Sequence, residues 1–115
     1  MIEIETSVEA DGTLRACRVN GHANAGKTGT DIVCAAVSVL MTTALNVLSG
    51  REGIVLQGSA PEKGQMWLEV DYKAEGKDFL YAIGVFLING LLSISNEYPK
   101  NCKICIRNYE KPLKA

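Results

Sequence analysis

The sequence predicts an α+β fold, a two-layer sandwich in the order ββαββαβ with two helices packed on one face of a mixed or antiparallel sheet. Three observations predict it. The chain opens with alternating apolar and polar residues, it contains two long stretches without charge at 32–50 and 79–96, and strand-like segments flank each stretch. A length of 115 residues gives room for a single domain over 1–115.

The first two strands follow from period-two patterning. Ile2, Ile4 and Val8 alternate with polar residues, as in a strand with one buried face. Residues 10–12 supply a hairpin turn, and 14–20 form the second strand. The apolar pattern of this second strand changes phase along its length, which indicates a β-bulge.

A glycine-rich stretch without large apolar residues, 21–30, predicts a loop. Asp31 is expected to cap a helix from about Ile32 to Leu48, which ends at Gly50. The remaining expected elements are strands at 54–58, 66–72 and 102–109, a turn at 61–64, and a second helix within 76–98 that stops before a proline.

Composition and charge argue against several classes of protein. With 12 Lys and Arg against 13 Asp and Glu, the net charge is −1, whereas nucleic-acid binders usually carry a clustered basic excess. The two uncharged stretches have the length of membrane spans, but they are rich in small and polar residues. We therefore interpret them as core helices, covered by the sheet and by a second subunit, and expect no membrane or nucleic-acid partner.

The sequence contains four cysteines, Cys17, Cys34, Cys102 and Cys105. The first residues contain neither the basic nor the long apolar part of a secretion signal. We therefore expect free thiols in a reducing, cytoplasmic compartment.

Residues 21–28 fit the pattern G-x-x-x-x-G-K-[ST] of a phosphate-binding P-loop. We interpret the match as accidental. The helix is expected to begin after Asp31 and not at Lys27 and Thr28, the charge of Asp31 would repel phosphate, and polar residues interrupt the preceding strand. A nucleotide binder acting through 21–28 remains a lesser alternative.

Cys34 and His22 have the side chains best suited to catalysis. If Asp31 caps the helix, Cys34 is its third residue, where unpaired amides stabilise a thiolate; the alternative is a small buried core residue. His22 can carry a proton at neutral pH or be an exposed loop residue. Asp31 could orient the ring of His22. Ser38, one turn after Cys34, could line a site or bond back to the carbonyl of Cys34.

Cys102 and Cys105 have the C-x-x-C spacing that also occurs in zinc and redox sites. Within a strand, however, residues three apart point to opposite faces, and a structural zinc requires four ligands. We expect Cys102 to face the core and Cys105 the opposite side, without a metal or redox role.

Two blocks, Gly-His-Ala at 21–23 and Asp-Ile-Val-Cys-Ala-Ala-Val-Ser at 31–38, resemble the bacterial ribosomal-processing cysteine protease family Prp. The resemblance extends over the whole chain in length and element order, including Asn-Glu-Tyr-Pro at 96–99. It implies a cytoplasmic homodimer that needs no cofactor or metal. It also implies removal of the N-terminal extension from the precursor of large-subunit ribosomal protein twenty-seven, by a cut beside a pair of aromatic residues.

The same resemblance assigns roles to individual residues. It makes Cys34 the nucleophile and His22 the general base and acid, and it places four further residues near the site: Asp31, Ser38, Gly21 and Gly29. Amides at the start of the helix are then expected to stabilise the oxyanion. The alternative from another class is a non-catalytic ribosome-assembly or binding protein with the same fold.

Overall fold

The computed structural model describes residues 1–21, 28–62 and 65–110, with the backbone alone at 28–31 and 60–62. The elements are β1 (Ile2–Val8), β2 (Leu14–Asn20), α1 (Thr28–Leu48), β3 (Ile54–Glu62), β4 (Gln65–Tyr72), a 3₁₀ turn (Ala74–Gly76), α2 (Lys77–Glu97) and β5 (Cys102–Asn108). The predicted element order is confirmed. β3 continues past its expected end at Gly58, so the first half of the turn expected at 61–64 belongs to that strand, and 63–64 lie outside the described residues.

The five strands form one mixed sheet in the order β3-β4-β2-β1-β5. All neighbours are antiparallel except β1 and β5, which run parallel. Along β1, Ile2, Ile4 and Thr6 are buried beneath the helices, and Glu3 and Glu5 are exposed on the open face. The α+β class and the mixed sheet are therefore as the sequence predicts.

The predicted β-bulge lies at Arg15. Ser7 pairs with Ala16 and Val8 pairs with Leu14, which leaves Arg15 without a partner across the strand pair. The Arg15 side chain at this bulge is 9% exposed. Its Nε then donates a hydrogen bond of 2.8 Å to the carbonyl of Val70.

Both helices pack against the sheet through an apolar stripe. The buried positions of α2 are Leu80, Gly84, Leu87 and Leu91, which recur at helical spacing. Gly84 allows a close approach, because a Cβ there would lie 2.7 Å from Cβ of Leu14. By length and composition, residues Ala74–Glu97 are long and apolar enough to cross a membrane, and 22% of their most apolar stretch is buried within the structure.

The start of α1 differs from the expectation. The helix begins at Thr28, so Asp31 is not its N-cap but lies in its first turn, together with Gly29. An acidic residue in the first turn interacts favourably with the positive end of the helix dipole, just as a capping aspartate does. Residues 28–30, which the sequence predicts to be part of a loop, are therefore helical, and 22–27 lie outside the described residues.

Candidate active site

The segment containing His22 is held between β2 and α1. Gly21 follows the last residue of β2, and residues 22–27, which include His22, lie outside the described residues. Gly21 has a φ of +149°, and a Cβ there would lie 2.5 Å from the carbonyl oxygen of Met1 and 2.7 Å from Cα of Ile2. Only glycine fits at this point, because both the backbone conformation and the available space exclude a side chain.

Cys34 is a buried residue of α1, with 4% of its surface exposed. Because α1 begins at Thr28, Cys34 is the seventh helical residue and not the third. A rise of 1.5 Å per residue places its Cα about 9 Å along the axis from that of Thr28. The expected position of the thiol beside unpaired helix-start amides is therefore wrong, because these amides belong to the first turn.

Ser38 lies one turn beyond Cys34 on the same face of α1. Its Oγ is fully buried and has no hydrogen-bond partner in the described structure; it is the one such side-chain atom among the described residues. The possible bond back to the carbonyl of Cys34 is not formed. Leaving a buried hydroxyl unpaired costs about 1–3 kcal/mol, so stability alone does not favour serine here.

The structure thus brings two predicted site residues together and places three others by their backbone. Cys34 and Ser38 share one face of α1, Gly21 ends the sheet side of the loop, and Gly29 and Asp31 begin the helix side. No side-chain contact of Asp31 is described.

The other thiols have distinct environments. Cys17 and Cys102 are buried, and burial raises the pKa of Cys17 to about 11 and also raises the pKa of Cys102. Cys105 is exposed on the opposite face of β5, where Arg107 Nε donates to its Sγ at 3.5 Å. The opposite orientations of Cys102 and Cys105 are as predicted. Within the described part of the chain, no three His, Cys, Asp or Glu residues are grouped for metal binding.

A charged cluster at the opposite end of the sheet was not anticipated from the sequence. Arg15 Nη1 contacts Glu9 at 2.7 Å and Nη2 contacts Asp71 at 3.3 Å, while the guanidinium lies 4.3 Å from the ring centre of Tyr109. Tyr72 donates a hydrogen bond of 2.6 Å to Glu9, which, with Arg15, holds the pKa of that carboxyl below its usual range. The phase change near Arg15 was the only sequence signal of this cluster.

The start of α1 and the pairing of β2 both bear on the P-loop match at 21–28. One argument against it was wrong, because α1 does begin at Thr28, the last position of the motif. The argument from the preceding strand is strengthened, because β2 is antiparallel to both of its neighbours, whereas a P-loop strand belongs to a parallel sheet.

The fold is a small α+β sandwich in which Cys34 lies on the helix that follows the histidine-containing segment, the order expected for a cysteine protease with a Cys/His pair. Residues 1–103 match the family described as Cysteine protease Prp, and the chain belongs to that family. The match includes both sequence blocks that carry the resemblance.

Solved structures share the fold over nearly the whole chain. SMU.848 from Streptococcus mutans is 25% identical, with a TM-score of 0.78 and coverage of 95% of this chain and 96% of that one. The essential ribosomal processing protease Prp from S. aureus matches in complex with a substrate peptide (22% identity, TM-score 0.76) and with a covalently linked product peptide (23%, 0.75). Both matches cover 92% of this chain and 99% of the S. aureus protein. A comparison with curated protein sequences gives no significant match.

Proposed function

We propose that this cysteine protease removes the N-terminal extension from the precursor of large-subunit ribosomal protein twenty-seven. The family match over 1–103 carries the proposal. Structures of the S. aureus ribosomal processing protease with substrate and product peptides support it through the shared fold. The proposed enzyme is a single domain over 1–115 that acts in the cytoplasm, where its four free thiols are stable.

In the proposed mechanism, His22 takes the proton of the Cys34 thiol, and the thiolate attacks the scissile carbonyl carbon. The tetrahedral intermediate collapses to a thioester as His22 protonates the departing amine. Water, deprotonated by His22, then hydrolyses the thioester and restores the thiol. Gly21 and Gly29 shape the segment that carries His22, and Asp31 orients its ring.

A mass-spectrometric cleavage assay tests this function. Purified protein is mixed with the full-length precursor of the host's own ribosomal protein twenty-seven, and Cys34→Ala, His22→Ala and Cys17→Ala variants are run in parallel. We expect one N-terminal cut by the wild type and by Cys17→Ala, and none by the other two variants. A cut that survives Cys34→Ala would show that the nucleophile is assigned wrongly.

Alkylation separates a protease from a binding protein with the same fold. Cys105 is exposed and would react first for that reason alone, so the assay uses a Cys105→Ser background. We expect iodoacetamide to modify Cys34 much faster than Cys17 or Cys102, although all three are buried, because the thiolate is the reactive form. Equal rates at the three buried thiols would favour the non-catalytic alternative.

We also propose that the protease is a homodimer joined through the outer faces of its helices. An apolar groove of about 380 Å³ lies between α1 and α2; its lining includes Val39, Leu40, Val47, Ile83 and Phe86. Phe86 is 70% exposed and Val39 is 64% exposed, which is unusual for large apolar side chains. A two-fold axis beside the groove would seat Phe86 of each copy in the groove of the other.

Sedimentation at micromolar concentration tests the dimer. Phe86→Glu is expected to give a folded monomer, because a carboxylate would be buried in an apolar groove. Val55→Glu is the matched control, since Val55 is 56% exposed but lies on β3, outside the groove. A wild-type monomer would refute the proposal, and so would a dimer that persists in Phe86→Glu.

A further inference from the structure

We infer that Ser38 donates a hydrogen bond to the ionised sulfur of Cys34 and so stabilises the nucleophile as a thiolate. The inference deepens the proposed function and rests on it, because it takes Cys34 to be the attacking group. It assigns a purpose to a hydroxyl that the folded protein otherwise leaves unpaired.

The positions of the two residues on α1 make this contact accessible. Side chains four residues apart on a helix have Cβ atoms about 5–6 Å apart, and helical side chains lean toward the N-terminus. The Ser38 hydroxyl is thereby directed back over the turn that contains Cys34. A change of side-chain rotamer is then enough to close the distance to the sulfur.

The two forms of a cysteine sulfur differ in how strongly they accept a hydrogen bond. A neutral thiol is a weak hydrogen-bond acceptor, whereas a thiolate is charged and accepts strongly. The hydroxyl therefore gains a strong partner only when Cys34 is ionised. An interaction of this kind favours the reactive form and not the resting form of the enzyme.

The burial of Cys34 makes such a donor necessary. A thiolate at 4% exposure has little access to water, and the unpaired amides of residues 28–30 in the first turn lie about 6–9 Å away along the helix axis. The described titratable groups that share its core are Cys17, Cys102, Tyr72 and Tyr98, and none of them is a cation. Among the described residues, Ser38 is a hydroxyl donor one helical turn from Cys34 whose buried oxygen has no other partner.

No bond of Ser38 is broken in this step. The Cys34 thiol proton passes to His22, and the Ser38 O–H turns toward the new negative charge and keeps its own proton. When the sulfur becomes neutral in the thioester, the hydroxyl loses its strong acceptor and is released.

The test is the pH dependence of Cys34 alkylation by iodoacetamide in the Cys105→Ser background, between pH 5 and pH 10. In Ser38→Ala we expect the half-maximal rate to move up by about one pH unit, which makes alkylation at pH 7 about tenfold slower. Ser38→Thr keeps a hydroxyl and is expected to restore the profile. Ser93→Ala is the matched control, because the Ser93 hydroxyl is satisfied by the carbonyl of Asn89 on α2.

Thermal unfolding separates this role from a structural one. Removing an unpaired buried hydroxyl is expected to raise the melting temperature of Ser38→Ala by about 4 °C while its reactivity falls. An unchanged alkylation profile in Ser38→Ala, or a shift that Ser38→Thr does not reverse, would overturn the inference. If the profile shifts as expected and the wild type nevertheless cuts no ribosomal precursor, the inference stands and the proposed substrate is wrong.

Discussion

Replacing Gly21 by alanine tests the tight packing beside the segment that contains His22. A residue with a Cβ at a φ of +149° costs about 1–3 kcal/mol in backbone strain. The new Cβ would also lie 2.5 Å from the Met1 carbonyl oxygen and 2.7 Å from Cα of Ile2, both backbone atoms. Displacing them adds about 1–3 kcal/mol, and the stiffer unfolded chain returns about 0.4–1 kcal/mol. Around the central values of these contributions the net expected loss is about 3 kcal/mol, within a range of about 2–4 kcal/mol.

Urea unfolding measures this loss against a control that isolates the steric overlap. Gly50 has a φ of +70°, but a Cβ there would meet nothing within 4 Å. Gly50→Ala should therefore cost about 1 kcal/mol, from backbone strain alone. With an m-value of about 1.5 kcal/mol/M, the midpoint should fall by about 1.3–2.7 M for Gly21→Ala and by about 0.7 M for Gly50→Ala.

The rate of peptide cleavage should also fall more in Gly21→Ala than in Gly50→Ala. A displacement of about 1 Å at a catalytic group can cost about 100-fold in rate, so Gly21→Ala is expected to lose most activity even below its unfolding temperature, while Gly50→Ala retains it. The reasoning is refuted if Gly21→Ala is no less stable than Gly50→Ala, because the contacts with Met1 and Ile2 would then carry no energetic weight.

Two further predictions concern the charged cluster around Arg15. Arg15→Met keeps the apolar stem but removes the ion pairs and the hydrogen bond to Val70, and it should cost about 2–3 kcal/mol by urea unfolding. Lys77→Met breaks an exposed pair and should cost much less. Equal losses would argue against a structural role for the buried guanidinium. Tyr72→Phe removes the main cause of the lowered pKa of Glu9, so that pKa should rise toward 4.5 in an NMR titration. A lowered carboxyl pKa stabilises the folded protein above pH 4.5, and this stabilisation disappears as the pH falls through the folded-state pKa. The difference in unfolding free energy between wild type and Tyr72→Phe should therefore shrink in acid. A difference that does not depend on pH would contradict this.

The sequence predicts the strands better than the start of α1, for a physical reason. Each buried position along a strand requires its own apolar residue, so the pattern of burial can be read from the sequence. The alternation with period two therefore predicts β1, and the phase change near Arg15 predicts the bulge. Asp31, in contrast, interacts with the helix dipole in the same favourable way as an N-cap or as a first-turn residue. Local sequence therefore cannot distinguish a helix that begins at Thr28 from one that begins at Ile32. For this reason the sequence predicted Cys34 about one helical turn too close to the unpaired amides at the start of α1.

The sequence predicted the fold class but not the order of the strands in the sheet. Hairpins combined with helices predict a mixed or antiparallel sheet. The strands that lie beside β1 are determined by tertiary packing, and no local sequence pattern indicates them. The role of Ser38 was open for a related reason. The sequence places it one turn after Cys34, and only the packed structure shows that its hydroxyl is buried without a partner.

The parallel pairing of β1 with β5 has a consequence for how the chain folds. Ile2 pairs with Cys102, one hundred positions further along the chain, and its amide donates to the carbonyl of Asn101. Contacts this distant in sequence make loop closure entropically costly and slow folding. During synthesis, β1 can pair early with β2 but lacks its second neighbour until β5 has been made. The Met1–Ile2 backbone against which Gly21 packs therefore gains its second neighbouring strand only at the end of synthesis. The protease is expected to gain activity only after almost the whole chain has left the ribosome.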